Sequence, residues 1–342
     1  MEKNNLRKDN NIICEKNKCT GCFACYNCCP KNAIEMIEDE FGNLYPKINE
    51  KKCIHCDLCR KTCPQNKEEK LVRPKECYAI YNKNEVKRME SSSGGLASML
   101  YEYILNNNGT VYGVSSNLSK GIRFIRIDKL SELKQIKGSK YVYSPVNDIF
   151  KKVKDDLTND KKVLFIGTPC QVDGLKNFLR KDYENLITSD LICHGVPSQT
   201  FLMDELKFYE IPTDKVTSIS FRNNNNYAII CYTSDDVIMN KNVKESTYLR
   251  EFLRCNIYRE NCYNCRYAQI NRVSDITIGD FWGLSKNSKL YNERDNGISV
   301  ALINTEKGKK IFEKIKEKSI CEQRNIDEAQ KRKYTITTSF KI

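Results

Sequence analysis

Two copies of one cysteine pattern near the N-terminus restrict the fold of that segment more than any other feature of the chain. Both have the form C-x2-C-x2-C-x3-C-P; they comprise Cys19, Cys22, Cys25, Cys29 and Pro30, and Cys53, Cys56, Cys59, Cys63 and Pro64. This spacing is typical of the ligands of two [4Fe–4S] clusters. Zinc and disulfides are the alternatives, but zinc sites usually have two C-x2-C pairs and no fourth cysteine before proline.

The two runs predict a bacterial-type ferredoxin module over residues 12–66. In such modules the first three cysteines of a run bind one cluster, and the fourth reaches the other cluster. The expected ligands are therefore Cys19, Cys22, Cys25 and Cys63 for the first cluster, and Cys53, Cys56, Cys59 and Cys29 for the second. Between the runs, residues 33–48 predict short strands around a turn at Gly42-Asn43. The charged segment 65–76 predicts a linker.

Composition and charge indicate the kind of protein to which this module belongs. The chain has 342 residues, which is too long for one ferredoxin, and 18 cysteines, which in a reducing compartment favour metal ligation. Residues 1–11 are polar and predict no secretory signal, and no apolar run approaches the ~20 residues of a membrane span. We therefore expect a cytoplasmic protein, in a reducing and anaerobic cell.

The chain is basic, with a formal net charge of +13. Three clusters with their thiolates would lower this charge to about +7. A basic surface suits an acidic redox partner or a phosphate-bearing cofactor. Nucleic acid is not an expected partner, because Lys and Arg are spread along the chain without a basic arm or recognition helix.

An alternation of strands and helices begins after the linker. Apolar runs predict strands at 77–81, 110–116, 161–167 and 185–192, and the intervening segments 96–107 and 171–181 predict helices. This order is typical of parallel strands with right-handed crossovers. The fold class is thus α+β or α/β: a ferredoxin module followed by a mixed α/β region, which we divide at residue 160 into 77–160 and 161–330.

Four further cysteines predict a third [4Fe–4S] site. Cys170 and Cys193 each follow a predicted parallel strand, at the edge where open α/β sheets bind ligands. Cys262 and Cys265 form a C-x2-C pair. Cys255, seven residues before Cys262, is the alternative to Cys170, and buried structural cysteines or a zinc knuckle remain alternatives to the cluster. The cysteines expected to bind no metal are Cys14, Cys28, Cys77, Cys231 and Cys321.

Several weaker motifs have both a functional and a structural interpretation. The segment 91–95 (SSSGG) precedes a predicted helix, and its serines and glycines suit a phosphate group or only a helix cap. Residues 138–141 (GSKY) do not by themselves indicate any function. Asp275 and Asp280 precede Phe281 and Trp282. Such an aspartate suits binding of a ribose or a flavin edge, and the aromatic pair suits packing against a ring. The commoner role of such residues is a turn and an anchor in the core. His194 follows Cys193 and is a candidate proton donor, whereas His55 is expected to be incidental.

Taken in order, SSSGG, GSKYVYS, GTPCQVDGL, DLICHGVPS and CYNCRY…DITIGDFWG resemble the coenzyme F420 hydrogenase/dehydrogenase beta-subunit family. The resemblance covers about residues 77–300, and an N-terminal double ferredoxin is a common fusion in that family. It implies a flavoprotein with FAD beside a [4Fe–4S] cluster whose ligands include Cys262 and Cys265, and it supports Cys170 and Cys193. It also implies cofactor-binding candidates, which are Ser92, Ser93, Gly94 and Gly95 for the FAD phosphates, and Ser139, Lys140, Tyr141, Thr168 and Gln171 for the flavin or substrate pocket.

The resemblance predicts an oxidoreductase that passes electrons between [4Fe–4S] clusters and FAD, with hydride exchange to coenzyme F420 or a related substrate. Lys140 and His194 are the catalytic candidates, for substrate positioning and proton supply. The expected partners are a ferredoxin or an oxidoreductase subunit, and a small-molecule hydride donor or acceptor. The alternatives are a ferredoxin-dependent FAD reductase of another substrate, an electron-transfer subunit without a substrate site, and an Fe–S redox sensor.

Overall fold

The fold is described from a computed structural model, which defines residues 12–68, 70–223 and 226–330. The polar segment 1–11, from which the sequence predicts no secretory signal, lies outside the described residues. Among the described helices, none is long and apolar enough to cross a membrane.

The strands and helices follow the order expected from the sequence patterns. The strands are β1 (Ile34–Glu38), β2 (Leu44–Ile48), β3 (Glu76–Asn82), β4 (Thr110–Val114), β5 (Phe124–Ile127), β6 (Val163–Gly167), β7 (Leu186–Leu191), β8 (Ser218–Asn223), β9 (Asn226–Tyr232), β10 (Val237–Asn242), β11 (Ile276–Asp280), β12 (Ser299–Ile303) and β13 (Ser319–Arg324). The α-helices are α1 (Ala24–Cys28), α2 (Leu58–Thr62), α3 (Glu85–Met89), α4 (Leu96–Asn106), α5 (Ile149–Thr158), α6 (Pro169–Leu179), α7 (Gln199–Phe208), α8 (Thr247–Leu253), α9 (Glu260–Tyr263) and α10 (Glu306–Lys316).

The N-terminal module is built from two short helices and one hairpin. Strands β1 and β2 pair antiparallel, with Ile34 opposite Ile48, as the sequence between the cysteine runs predicts. Helices α1 and α2 each contain the third cysteine of one run. The module packs on the rest of the chain, because Phe23 belongs to the same apolar core as Phe150 and Val172.

Among the described residues, the large sheet has eight strands in the order β13-β3-β12-β11-β7-β6-β4-β5. Its centre is parallel, since β4 pairs with β6, β6 with β7 and β7 with β11 in that sense. The predicted strand at 77–81, which is β3, instead pairs antiparallel with β12 and β13. Both halves of the α/β region contribute strands, so the proposed division at residue 160 passes through one sheet.

Both faces of this sheet are covered by helices. In β6, Leu164 and Ile166 face the core formed with α4 and α10, whereas Val163 and Phe165 face α5 and α6. Successive side chains of a strand point to opposite faces, so a fully apolar strand predicts burial on both sides. A separate three-stranded antiparallel sheet of β8, β9 and β10 packs with α7 and α8.

Candidate functional site

The first cysteine group lies in the interior of the N-terminal module. Cys19, Cys22, Cys25 and Cys63 are buried and line one small cavity. These are the four residues expected to hold the first cluster, three from one run and the last cysteine of the other. Burial raises the pKa of Cys22 to about 12, so an empty site would hold thiols, and a metal would have to displace their protons.

Cys14, which the sequence left without a ligand assignment, lies against this first group. It lines the same cavity, and its thiol donates towards Cys19 and Cys63. That contact lowers the pKa of both neighbours, while burial of each opposes the shift. A hydrogen bond to a ligand sulfur is one way in which proteins adjust an Fe–S centre, so Cys14 suits the surroundings of a cluster.

The second cysteine group lies nearer the surface. Cys29, Cys53, Cys56 and Cys59 line a separate cavity with Ile34 and Ile48, again as the spacing predicts. Cys56 is exposed and the other three are half-buried. The two N-terminal groups therefore differ in their access to solvent.

A large cleft lies at the carboxyl ends of β6, β7 and β11. It encloses about 2110 Å³ including its open mouth, and its walls carry residues from almost every motif noted in the sequence. Ligands of open α/β sheets bind at this edge, because the loops after parallel strands converge there. The strand ends thus assemble the site.

The third cysteine group lies in this cleft. Cys170, Cys193, Cys262 and Cys265 all line it and interact electrostatically with one another. Cys255 is buried instead beside Leu253 and Tyr258, away from the cleft lining. The geometry therefore favours Cys170 over Cys255 as the fourth ligand.

These groups suit clusters better than single ions. No set of three or more His, Cys, Asp or Glu side chains in the described residues converges closely enough to share one metal ion. In a [4Fe–4S] cluster four cysteines bind four irons, so the ligands surround a larger object than an ion. Burial raises the pKa of Cys193 to about 11, which makes an unligated thiolate there unfavourable near neutral pH.

The serine–glycine segment forms one wall of the cleft at the start of α4. Ser92, Ser93 and Gly95 line it, and Gly95 adopts a left-handed conformation (φ 87°) as the N-cap. Gly94 is buried behind the wall, where a Cβ would lie 2.3 Å from the Ile80 carbonyl oxygen. Gly94 thus permits close packing, and the other three residues face the space where a phosphate would meet the helix N-terminus.

Residues 138–141 form the neighbouring wall. The Ser139 N–H donates to Ser92 Oγ (2.8 Å), which joins the two walls. Lys140 Nζ donates to the carbonyls of Ile136 (3.1 Å), Lys137 (2.7 Å) and Gly138 (3.0 Å). Burial lowers the pKa of Lys140 to about 7, whereas these three acceptors favour the ammonium form. Lys140 therefore stabilises the conformation of the loop that precedes it.

Thr168 and Gln171 begin helix α6 beside Cys170. Gln171 Oε1 accepts from the Thr168 N–H (3.0 Å), and Gln171 Nε2 donates to the Ser144 carbonyl (2.9 Å). The Thr168 hydroxyl lies 3.2 Å from the Cys170 sulfur. Both residues line the cleft, and their bonds fix the position of the thiol.

His194 is paired with Tyr258, a residue that the sequence did not single out. His194 Nδ1 hydrogen-bonds the Tyr258 hydroxyl, and its ring packs on Phe252 with centroids 4.8 Å apart. Burial lowers the pKa of His194 to about 4, so the imidazole is neutral near pH 7. A Cβ on Gly195 would lie 2.2 Å from the Tyr258 ring, so only glycine leaves room for this pair.

The two aspartates near the C-terminal motif have different surroundings. Asp275 is buried and accepts hydrogen bonds from Thr188 and Thr305, which favours the structural interpretation. Asp280 and Trp282 line the cleft. Asp280 pairs with Arg222 (2.5 Å), whose guanidinium packs over the Tyr227 ring at 4.1 Å. No spacing in the sequence connects Arg222 with this site.

Helix α6 joins the third group to the first. It begins at Pro169-Cys170, and one turn later Gly174 packs against Cys22. Four residues of helix rise about 6 Å, so the two thiols approach the same short segment. A Cβ on Gly174 would lie 2.9 Å from Cys22 Cβ and 3.0 Å from its sulfur.

We expect Gly174→Val to displace Cys22 and remove the first cluster, a loss of about four iron atoms per chain. Overpacking of a close contact costs about 1–3 kcal/mol, and here the nearest atoms belong to a ligand. Gly174→Ala should cause a smaller loss. Iron and labile sulfide analysis of the three anaerobically purified proteins measures the effect, and equal iron in all three would contradict it.

Comparisons with known proteins identify two segments. Residues 160–329 match the family model for the C terminus of the coenzyme F420 hydrogenase/dehydrogenase beta subunit. Residues 18–67 match the model of the 4Fe-4S dicluster domain, which confirms the prediction of two [4Fe–4S] clusters. No curated protein matches the whole chain or a part of it.

One solved structure with a similar chain is the xenon-derivatised F420-reducing [NiFe] hydrogenase complex from Methanosarcina barkeri. The similarity has 15% identity and a TM-score of 0.49, and it covers 78% of this chain and 86% of that chain. The assignment therefore rests on the family models and on the ordered motifs. The chain belongs to the coenzyme F420 hydrogenase/dehydrogenase beta-subunit family and carries a 4Fe-4S dicluster domain at its N-terminus.

Proposed function

We propose that this protein is an iron–sulfur flavoprotein oxidoreductase that exchanges electrons between [4Fe–4S] clusters and FAD, and a hydride with coenzyme F420 or a related substrate. One observation carries the proposal: a single cleft is lined by the serine–glycine segment, by residues 138–141 and by four cysteines. A dinucleotide site and a cluster site would thus share one space.

The serine–glycine wall supports binding of the FAD phosphates. Ser93 and Gly95 line the cleft directly before α4, a helix of 11 residues, and the free N–H groups of a helix N-terminus suit a bound anion. The aromatic side chains of Tyr141, Tyr227 and Trp282 line another part of the cleft, where a ring system can pack. When bound, a flavin accepts two electrons and releases them singly, whereas a cubane carries one.

The three cysteine groups form a series from the surface to the cleft. Cys56 of the second group is exposed, whereas the cysteines of the first group are buried. Cys22 of the first group packs on the helix that begins with Cys170 of the third. This order supports entry or exit of electrons at the second group, with a ferredoxin or a partner subunit as the external carrier.

The polar residues of the cleft divide between positioning and proton supply. Thr168 places a hydroxyl against the Cys170 sulfur, and Lys140 holds its own loop through three carbonyls. The neutral His194 and the Tyr258 hydroxyl form a buried pair at the cleft wall. That pair is the candidate proton relay, because a neutral imidazole can accept a proton at one nitrogen while it gives one up at the other, whereas Lys140 is held by the backbone carbonyls.

The first test is the content of iron, labile sulfide and flavin in anaerobically purified protein. We expect about twelve iron atoms, for three cubanes, and one FAD per chain. About eight iron atoms with one FAD would remove the third cluster from the proposal. About eight iron atoms without flavin would contradict the proposal of an enzyme and would indicate an electron carrier.

A second measurement addresses the substrate. Protein loaded with FAD and reduced through a ferredoxin should bleach the absorbance of a deazaflavin such as coenzyme F420. A flavin that is reduced by ferredoxin but leaves the deazaflavin unchanged would instead indicate a reductase of another substrate. Activity of the isolated chain would count against a purely auxiliary electron-transfer subunit.

A further inference from the structure

Arg259 is a fully buried cation to which no motif of the sequence points. It is 1% exposed, and among the described residues no carboxylate accepts a hydrogen bond from its guanidinium. Its Nε donates to the Cys19 carbonyl (2.9 Å), but neither Nη atom has a hydrogen-bond partner within the described part of the chain. Two charged nitrogens are thus buried without an oxygen acceptor, and the protein group that the guanidinium approaches is the Cys19 side chain.

The surroundings of Arg259 connect two cysteine groups. Its guanidinium lies over the Tyr45 ring at 4.1 Å and interacts most strongly with the Cys19 thiol, and more weakly with Cys262. Its backbone N–H donates to the Val196 carbonyl (3.0 Å), and its carbonyl accepts from the Cys262 N–H (2.9 Å). Arg259 is therefore fixed to the loop of the third group while its side chain reaches the first.

A buried and unpaired charge is unfavourable unless an anion accompanies it. An aromatic face offers only a weak interaction with a cation, and a carbonyl oxygen satisfies a single N–H group. A [4Fe–4S] cluster with four thiolates carries a net negative charge in both of its redox states. The first cysteine group, whose Cys19 adjoins the guanidinium, is thus the counter-anion that the protein alone lacks.

We propose that Arg259 is the counter-cation of the first cluster on the side facing the third, and that it favours the reduced state of the first cluster. This inference rests on the clusters of the proposed function and not on the flavin. Reduction adds one electron to the cluster and breaks no bond; Arg259 keeps its proton and gains a stronger attraction. Positive charge at this point therefore biases electrons toward the first cluster.

The test compares Arg259→Gln, which removes the charge, with Arg259→Lys, which keeps it. The matched control is Arg254→Gln, a more exposed arginine nearby that pairs with Glu251. Each protein is titrated anaerobically with dithionite and redox mediators, and the clusters are followed by EPR and absorbance. In Arg259→Gln we expect the equilibrium constant for reduction of one cluster to fall at least tenfold, a shift of about 59 mV for one electron.

Arg259→Lys should retain most of the wild-type potential, and Arg254→Gln all of it. Unchanged potentials in a fully loaded Arg259→Gln protein would overturn the inference. If the Gln variant loses iron, wild-type iron content in the Lys variant supports a requirement for charge, whereas equal loss in both overturns it and indicates a packing residue.

The outcome is separable from that of the proposed function. Absence of flavin would end the flavoenzyme proposal but leave the cluster potentials to be compared. Eight iron atoms in the wild type would remove the third cluster, and the potential of the first would still report the charge of Arg259.

Discussion

Replacing Cys170 with alanine should remove the third cluster and leave the two N-terminal clusters in place. For cubanes of four irons, the iron content would fall from about twelve to about eight atoms per chain. Cys170 lines the cleft with the other three thiols, and removal of one of four ligands leaves a corner of the cluster open. The rate at which ferredoxin reduces the flavin should then fall by a factor of about one hundred or more.

The fold should survive this substitution. The start of α6 is held by the bonds between Thr168 and Gln171 and by the bond from Gln171 to Ser144, none of which uses the Cys170 side chain. Alanine also suits a helix better than cysteine does. Loss of iron would thus indicate loss of a ligand and not of the helix.

Cys255→Ala is the matched control. Cys255 is buried beside Tyr258 and does not line the cleft, so this variant should keep all its iron. Iron, sulfide and EPR spin quantitation of the two variants decide between the residues. Full iron in Cys170→Ala with a loss in Cys255→Ala would reverse the ligand assignment.

The cysteine groups could be predicted because their geometry is local or follows a rule of topology. The eight cysteines of the two C-x2-C-x2-C-x3-C-P patterns lie in two short segments, where a few residues of spacing determine which thiols converge. Cys170 and Cys193 lie 23 positions apart, but each follows a strand of a parallel pair, and parallel strands place their ends together. Sequence reasoning could therefore bring Cys170 and Cys193 together although no contiguous motif joins them.

Contacts that depend on tertiary packing had no such signal. Arg259 lies 240 positions from Cys19, and its importance depends on the burial of a guanidinium whose two Nη atoms have no hydrogen-bond partner among the described residues. Gly94 belongs to the expected phosphate segment, but its place behind the wall depends on the approach of β3 and β12. The prediction that β3 belongs to the parallel series was wrong for the same reason. Its antiparallel partners, β12 and β13, lie more than 200 residues later in the sequence.

The serine–glycine wall offers the other large effect, on the flavin. We expect Ser93→Asp to weaken binding of FAD at least tenfold, about 1.4 kcal/mol, because a carboxylate would face the phosphates across the cleft. The same charge near the N-terminus of α4 is favourable for the helix. A loss of flavin would therefore not arise from a weaker helix.

Ser93→Asn is the control that separates charge from size. Asparagine has nearly the shape of aspartate and no charge, and within the part of the chain that the structure describes the Ser93 side chain makes no hydrogen bond that either residue would break. We expect the Asn variant to retain flavin and both variants to retain wild-type iron. Fluorescence titration of flavin-depleted protein with FAD measures the difference. Equal affinities of the Asp and Asn variants would place the phosphates elsewhere in the cleft, since a carboxylate beside a pyrophosphate cannot be neutral in its effect.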